Sequence, residues 1–538
     1  MALAPRLEPQ GAGPTPLARP AHRPAVPWPV LGLVLAVTVP PVLIAAALTP
    51  ASTVFTGFVV IARDAFVYQA LWRAGWHGAW LFHPLYSSES QPGVLIYAWY
   101  LWTGHLVGFL PAAWLYHAAR LAAGAAALAA IFRLAATLYR PAAIRWWAFL
   151  LAILGGGVGV LLPHPIVLGP LTLTPTETSV AGTGIAEIVS MAPHLAWATA
   201  LLCWVFYCAL RQQREASVRG LVAGISAWVG LELIYPQLAV LAGASLLAFG
   251  LVRGSGRVLR FTLLGGAAVA PYLGYLLLVE WRTPQALIGV GATAQVPFHF
   301  DVGDPVGFVV ISHLGASLLI AIAAVRRRIR GDLLLPAAWI LVMTLFMFLP
   351  GLRTVMGRAY LASSIPFGLL GAAGLAAGLR LVRSIAWRRR ALALVLAVSC
   401  FYGIFSLVEP YAIAIGRLDP RAEYEPAGEA AVLAWLAPRS HPDDVVLSTY
   451  LAGIFIPAQT NARTYVGHPD QTADVKAKSD AALAFFTSWD QAARARFLTA
   501  TGVDYVLATG DDSVRLRGDP RLRELTRSHD AVLYRVLP

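Results

Sequence analysis

"IARDAFVYQALWRAGWHGAWLFHPLYSSESQPG", residues 61–93, follows the first long apolar run of the chain and gathers charges, imidazoles and seven Phe, Tyr or Trp rings into one stretch. The run before it, about 28–50, is long enough to cross a hydrocarbon core of roughly 30 Å. Asp64 therefore stands just beyond a membrane segment, with Tyr68, His77, His83 and Glu89 behind it. A plain connector needs neither so many rings nor so many ionisable groups.

Apolar runs of spanning length recur from Trp28 to Val408. Of the 538 residues, 58% are hydrophobic and 13% charged, with a mean hydropathy of +0.65. An ordinary soluble protein carries roughly 25% charged residues, so a soluble enzyme is excluded. The reading is a polytopic α-helical membrane protein. The formal charge of +13 does not imply nucleic acid, because of where it sits. Up to Glu409 there are 27 Arg, no Lys and 12 acids; from Pro410 onward there are 14 basic and 16 acidic residues. The excess lies in short membrane-flanking clusters such as "RRRIR", 326–330, and "RRR", 388–390, which suit a lipid surface. Cys203, Cys208 and Cys400 lie in apolar runs without ligand spacing, so neither a disulfide framework nor a zinc site is expected.

Arginine also sets the orientation. Spans at about 28–50, 112–134, 143–162, 193–210, 220–236, 237–252, 261–280, 306–325, 332–350, 358–379 and 391–408 collect most arginines on one side, with a disordered 1–27 arm in the cytoplasm. This holds only if the stretch from Val94 to Val107 rests at the interface or is re-entrant; as a span it would put Arg133, Arg140 and Arg145 outside. About eleven spans are expected in a transmembrane domain covering 28–409, in a bacterial-type plasma membrane. Its external loops would be 51–111, 163–192 and 281–305, and most acids fall on that face. After "VEPYAIAIGRLDPRAEY" the pattern changes to short helices and buried strands, so 410–538 reads as a small external α/β domain. Its "QTNARTYVGHP" reads as a turn, and "ATGDDSV" is a turn rather than a phosphate loop.

The first apolar segment followed by "RDAFVYQALWRAGW", then "QPGVLIYAWYLWTG", then an arginine within "WLYHAARLAAGAAAL" resembles the GT-C superfamily of integral membrane glycosyltransferases. The likeness is to its protein O-mannosyltransferase and aminoarabinose-transferase-like branch. The resemblance implies transfer of a sugar from a polyprenyl-phosphate donor on the outer face, with Asp64 in the position of the catalytic acid. Where the family often carries paired acids, this chain has Asp64 followed by Ala65.

Chemistry gives Asp64 a rationale of its own, since sugar transfer to a hydroxyl needs a base near the acceptor. Arg120 sits in an Ala and Leu helix, where a charge is costly unless paired or facing a polar cavity, so it is a candidate for the donor phosphate. Arg353 and Arg358, in "PGLRTVMGRAY", are further candidates at the outer surface. Glu177, in a loop rich in Gly and Thr, is a candidate for sugar hydroxyls, and Glu89, Tyr68 and His83 complete the expected substrate-binding set. No motif calls for a divalent metal or other cofactor. The expected partners are the polyprenyl-phosphate sugar, membrane lipids and an acceptor that is glycan, lipid or protein, and no nucleic acid. A secondary transporter and a noncatalytic scaffold or receptor are the alternatives; the first would show an internal repeat and interrupted midplane helices.

Overall fold

The computed structural model describes residues 24–161, 166–168, 171–173, 182–283, 307–348, 358–416 and 420–538. Most of the arm read at 1–27 lies outside them, as do parts of the loops 163–192 and 281–305. Among the described residues five helices are long and apolar enough to cross a membrane: Trp28–Ala47, Ala112–Leu138, Pro193–Arg214, Pro236–Arg253 and Gly256–Arg282. A sixth arises if Ile385–Ser399 and Phe401–Gly416, bent by 54° at Cys400, form one span. Where about eleven spans were expected, five or six of spanning length are therefore found among the described residues.

The shortfall has a local cause. Ala142–Leu154, Leu314–Val325, Gly331–Met347 and Ser364–Leu379 are apolar but only 10–17 residues long, whereas a crossing needs about 20. The helix Ala142–Leu154 stops at Gly155, where the chain turns extended so that Gly156 N–H donates to the Ser399 carbonyl at 2.9 Å. A side chain at Gly157 would run into the Ile311 carbonyl. The glycines that make this stretch read as one apolar run permit backbone-to-backbone packing instead.

Two short helices lie outside this bundle, Ala62–Trp76 and Ala98–Val107. The second has ten residues, roughly 15 Å, and is too short to cross. They cross through glycine: a Cβ on Gly75 would strike the Leu101 carbonyl, and one on Gly104 the Trp72 carbonyl.

Strand β1 (Thr53–Phe55) precedes the first of these helices, and β2 (Ile166–Leu168) pairs with β3 (Leu171–Leu173) as a hairpin. Beyond Gly416, where the last long helix ends after running through Pro410, β4 (Tyr424–Pro426) pairs antiparallel with β1. A five-stranded sheet follows, from β5 (Val445–Leu447), β6 (Arg463–Thr464), β7 (Tyr505–Ala508), β8 (Leu522–Ser528) and β9 (Ala531–Val536), in the order β6-β5-β7-β9-β8. The stretch read as a turn contains β6. The polar edge strand β8, "LRELTRS", carries no apolar alternation by which to read it.

Because strand side chains alternate, the sheet has two buried faces. Val445, Leu447 and Val506 pack with Phe485, Phe486 and Leu498 of the segment's own helices. Val446, Leu507 and Leu533 pack with Phe66, Trp72, Phe82 and Tyr86 of the first loop. The first loop and the C-terminal segment therefore share one core.

Candidate functional site

The helix Ala62–Trp76 begins at Ile61, a β-branched residue held at φ 45°, and puts Asp64 in its first turn. That is a favourable place for a carboxylate, since the first turn presents unpaired N–H groups and the positive end of the helix dipole. The carboxylate is half exposed and its Oδ1 lies 3.1 Å from Nε2 of His468, which is buried. Asp470 N–H donates to Nδ1 of His468 at 3.2 Å, so Nδ1 is the acceptor and Nε2 carries the proton given to Asp64. Burial pushes the Asp64 carboxyl up, but the His468 hydrogen bond, together with the charge of Arg358, outweighs it and holds it below its ordinary value of 3.8. Asp64 is thus a carboxylate at neutral pH, reachable from solvent on one side.

The loop bearing His468 is tied down. Thr472 Oγ1 accepts from Gly467 and His468 N–H and donates to the Tyr86 carbonyl at 2.7 Å, and Gln471 donates to Tyr97 Oη at 3.1 Å. One turn after Asp64, Tyr68 stacks on Tyr100 with ring centroids 4.6 Å apart. Tyr68, Tyr97, Tyr100, His194, Tyr235 and Arg358 line a small cleft, and Tyr100 Oη is 2.7 Å from His194 Nδ1. Arg358 shares this cleft with Tyr235 and lies close enough to Asp64 to lower its pKa. The site therefore joins a carboxylate, a guanidinium and a wall of aromatic rings. That can remove a proton, neutralise a phosphate and seat the apolar face of a sugar.

Of the residues singled out in the sequence, Asp64, Tyr68 and Arg358 come together here. Arg353 and Glu177 lie outside the described residues. Glu89 and His83 do not join them. The loop after Trp76 folds back on the C-terminal segment, so both line a separate cleft of about 230 Å³ with Arg73, Asn461 and Arg463. Arg73 is already roughly 13 Å along the helix from Asp64. Glu89 is instead paired with Lys478 at 2.6 Å.

Arg120 is also elsewhere. It is 1% exposed, and its Nη1 donates to Thr38 Oγ1 at 2.8 Å and to the Val189 carbonyl at 2.6 Å. The helical break between Ala36 and Pro40 leaves Thr38's polar groups in apolar surroundings, and Arg120 satisfies them. These contacts hold Arg120 within the helix bundle, apart from the cleft beside Asp64.

His468, His194, Tyr97, Tyr100 and Tyr235 are the site residues that reading the sequence missed as a set. A lone His in "YVGHPD" carries no spacing signal, and its partner is 404 positions away. Among the described residues no group of three His, Cys, Asp or Glu is arranged to hold a metal ion.

No protein-family model matches the chain, and no curated protein matches it in sequence. Solved structures do. The archaeal oligosaccharyltransferase AglB from Archaeoglobus fulgidus, in complex with an inhibitory peptide and a dolichol-phosphate, matches with TM-score 0.50 at 13% identity, over 90% of this chain and 70% of that one. The arabinofuranosyltransferase AftD from mycobacteria matches with TM-score 0.52 at 15% identity, over 96% of this chain and 42% of that one, so this chain spans less than half of AftD. ArnT from Cupriavidus metallidurans, bound to undecaprenyl phosphate, gives TM-score 0.48 at 14% identity, over 95% and 98%. At these identities the likeness is one of fold, and the chain has the polytopic α-helical fold of the GT-C membrane glycosyltransferases, with no particular branch distinguished.

Proposed function

We propose that this chain is a membrane glycosyltransferase that moves a sugar from a polyprenyl-phosphate-linked donor to an acceptor hydroxyl at the outer face of the membrane. The observation that carries the proposal is Asp64, ionised and held by His468, beside an aromatic cleft that also bears Arg358. In the reaction the acceptor O–H gives its proton to the Asp64 carboxylate while its oxygen bonds to the anomeric carbon of the sugar. The bond from that carbon to the phosphate oxygen breaks, and the polyprenyl phosphate leaves with one more negative charge. Arg358 stabilises that charge. Tyr68, Tyr100 and Tyr235 form the wall against which the sugar ring rests. The dolichol-phosphate held by the archaeal structure of the same fold supports this class of lipid.

The test incubates the purified protein with a panel of polyprenyl-phosphate hexoses and pentoses and a membrane extract, and follows transfer by mass spectrometry. The Asp64→Asn change, nearly isosteric, is expected to lower the transfer rate about 10²–10⁴-fold while donor binding persists. Arg358→Ala is expected to weaken donor binding itself. An Asn variant as fast as the wild type removes Asp64 from the role of base. A wild type inert across the whole panel returns the chain to the noncatalytic scaffold or receptor reading.

A further inference from the structure

At the other end of the same helices lies a cleft of about 450 Å³. Ala112–Leu138 starts beside the Asp64 helix and runs 27 residues, roughly 40 Å, to Leu138, which lines this second cleft. Ser364–Leu379 likewise starts just after Arg358 and ends at the cleft, where Ala373, Ala376 and Ala377 line it. The two sites are therefore on opposite faces of the bundle.

The cleft is amphiphilic. Leu138, Ile144, Ala376 and Ala377 give it an apolar floor, and Arg328, Arg330 and Arg380 stand around it. All three arginines are exposed, and their side chains have no hydrogen bond or ion pair with any described residue. The acid at the cleft, Asp332, is already engaged by Arg214 at 2.5 Å. Three unpaired guanidinium groups above an apolar floor between helix ends need an anion that brings its own hydrocarbon. A free phosphate would satisfy the rim and leave the floor wet.

We propose that this cleft binds the phosphodiester headgroup of an anionic phospholipid, the phosphate held by Arg328, Arg330 and Arg380 and the glycerol and upper acyl carbons lying on the alanine and leucine floor. Such a lipid braces the ends of Ala112–Leu138 and Ser364–Leu379 on the face opposite the Asp64 cleft.

The test is native mass spectrometry of the full chain in detergent, titrated with phosphatidylglycerol or phosphatidylcholine. One phosphatidylglycerol is expected to bind, and the combined Arg328→Gln, Arg330→Gln and Arg380→Gln variant is expected to bind it about tenfold more weakly or worse. A control variant, Arg253→Gln with Arg260→Gln and Arg389→Gln, removes the same charge away from the cleft and is expected to bind as the wild type does. Ala376→Phe fills the floor without altering charge and is expected to weaken phosphatidylglycerol binding too. Equal losses in the control variant, or equal binding of phosphatidylcholine, overturn the proposal. So does glycerol phosphate without acyl chains binding as tightly as the lipid, which would make the cleft a free-phosphate site. Variants that elute as monodisperse protein keep a folding defect from imitating a loss of binding.

Discussion

Asp64 accepts a hydrogen bond at 3.1 Å from His468, a residue 404 positions later in the chain. Because Asp470 N–H fills the other ring nitrogen, His468 cannot turn this contact into a second proton acceptor without losing a bond. His468 touches Asp64 and acts through it, so it is a positioning residue. His468→Ala is expected to cut kcat by roughly 10- to 100-fold, the worth of one hydrogen bond to a charged group, with little change in donor KM. His468→Gln, which restores an N–H at similar reach, is expected to recover part of that loss. A His468→Ala variant changed only in KM would assign the residue to binding.

The pH dependence follows from the sign of the Asp64 shift. Its carboxyl is held below 3.8, so the charged base is present above that value and is lost only as pH falls through the lowered one. Whatever the His468 contact adds to stability has the same window, present above 3.8 and lost below it. Transfer measured from about pH 4 to 8 is expected to show no acidic limb due to Asp64 in the wild type. In His468→Ala the largest opposing influence is gone while the burial remains, so an acidic limb is expected to enter that range. A wild-type limb near pH 6 that disappears in Asp64→Glu would contradict the assignment.

The class of protein and the place of Asp64 were legible in the chain because both depend on local features, namely apolar run length and an acid just after the first run. The resemblance in "RDAFVYQALWRAGW" added the GT-C fold, which the solved structures share. Hydropathy marks Arg120 as a buried charge but does not reveal that a helix break at Thr38 supplies acceptors for it. The Glu89–Lys478 pair was not legible because Lys478 comes from the far end of the chain. His468 was invisible for the same reason. The run at 143–162 was read as one span because glycine counts as harmless in an apolar run, while at Gly155–Gly157 it ends the helix.

The Glu89–Lys478 pair predicts a stability effect separate from chemistry. Lys478 is 9% exposed, and besides Glu89 its ammonium meets the hydroxyls of Ser87 and Ser88 and the face of the Tyr465 ring, 5.1 Å from its centroid. Burial pushes its ammonium down, and Glu89 restores part of the difference. Glu89→Gln removes the carboxylate paired with that charge, and because Glu89 is itself 43% exposed, solvent screening limits the cost to about 1–2 kcal/mol. Thermal unfolding and limited proteolysis are expected to show earlier release of the segment after Gly416. Lys478→Met, which removes the charge and keeps the stem, is expected to be milder. If Glu89→Gln is the milder of the two, the pair does not dock the segment.

Orientation is the last prediction. Arginine clusters such as Arg326 to Arg328 favour the cytoplasm, and the cleft with Asp64 is at the opposite end of Ala112–Leu138 from Arg140 and Arg145. The proposed reaction therefore requires Asp64, Glu89 and the C-terminal sheet to face outward together, which their shared core also demands. Cys203, Cys208 and Cys400 are all buried, so the wild type gives a low background with an impermeant thiol reagent on intact cells. Leu483→Cys, on an exposed face of the helix Val475–Thr487, is expected to be labelled from outside. Arg253→Cys, at the exposed end of Pro236–Arg253, is expected to react only after the membrane is permeabilised. The reverse pattern would put the Asp64 cleft in the cytoplasm, where the sugar would have to reach it from that leaflet.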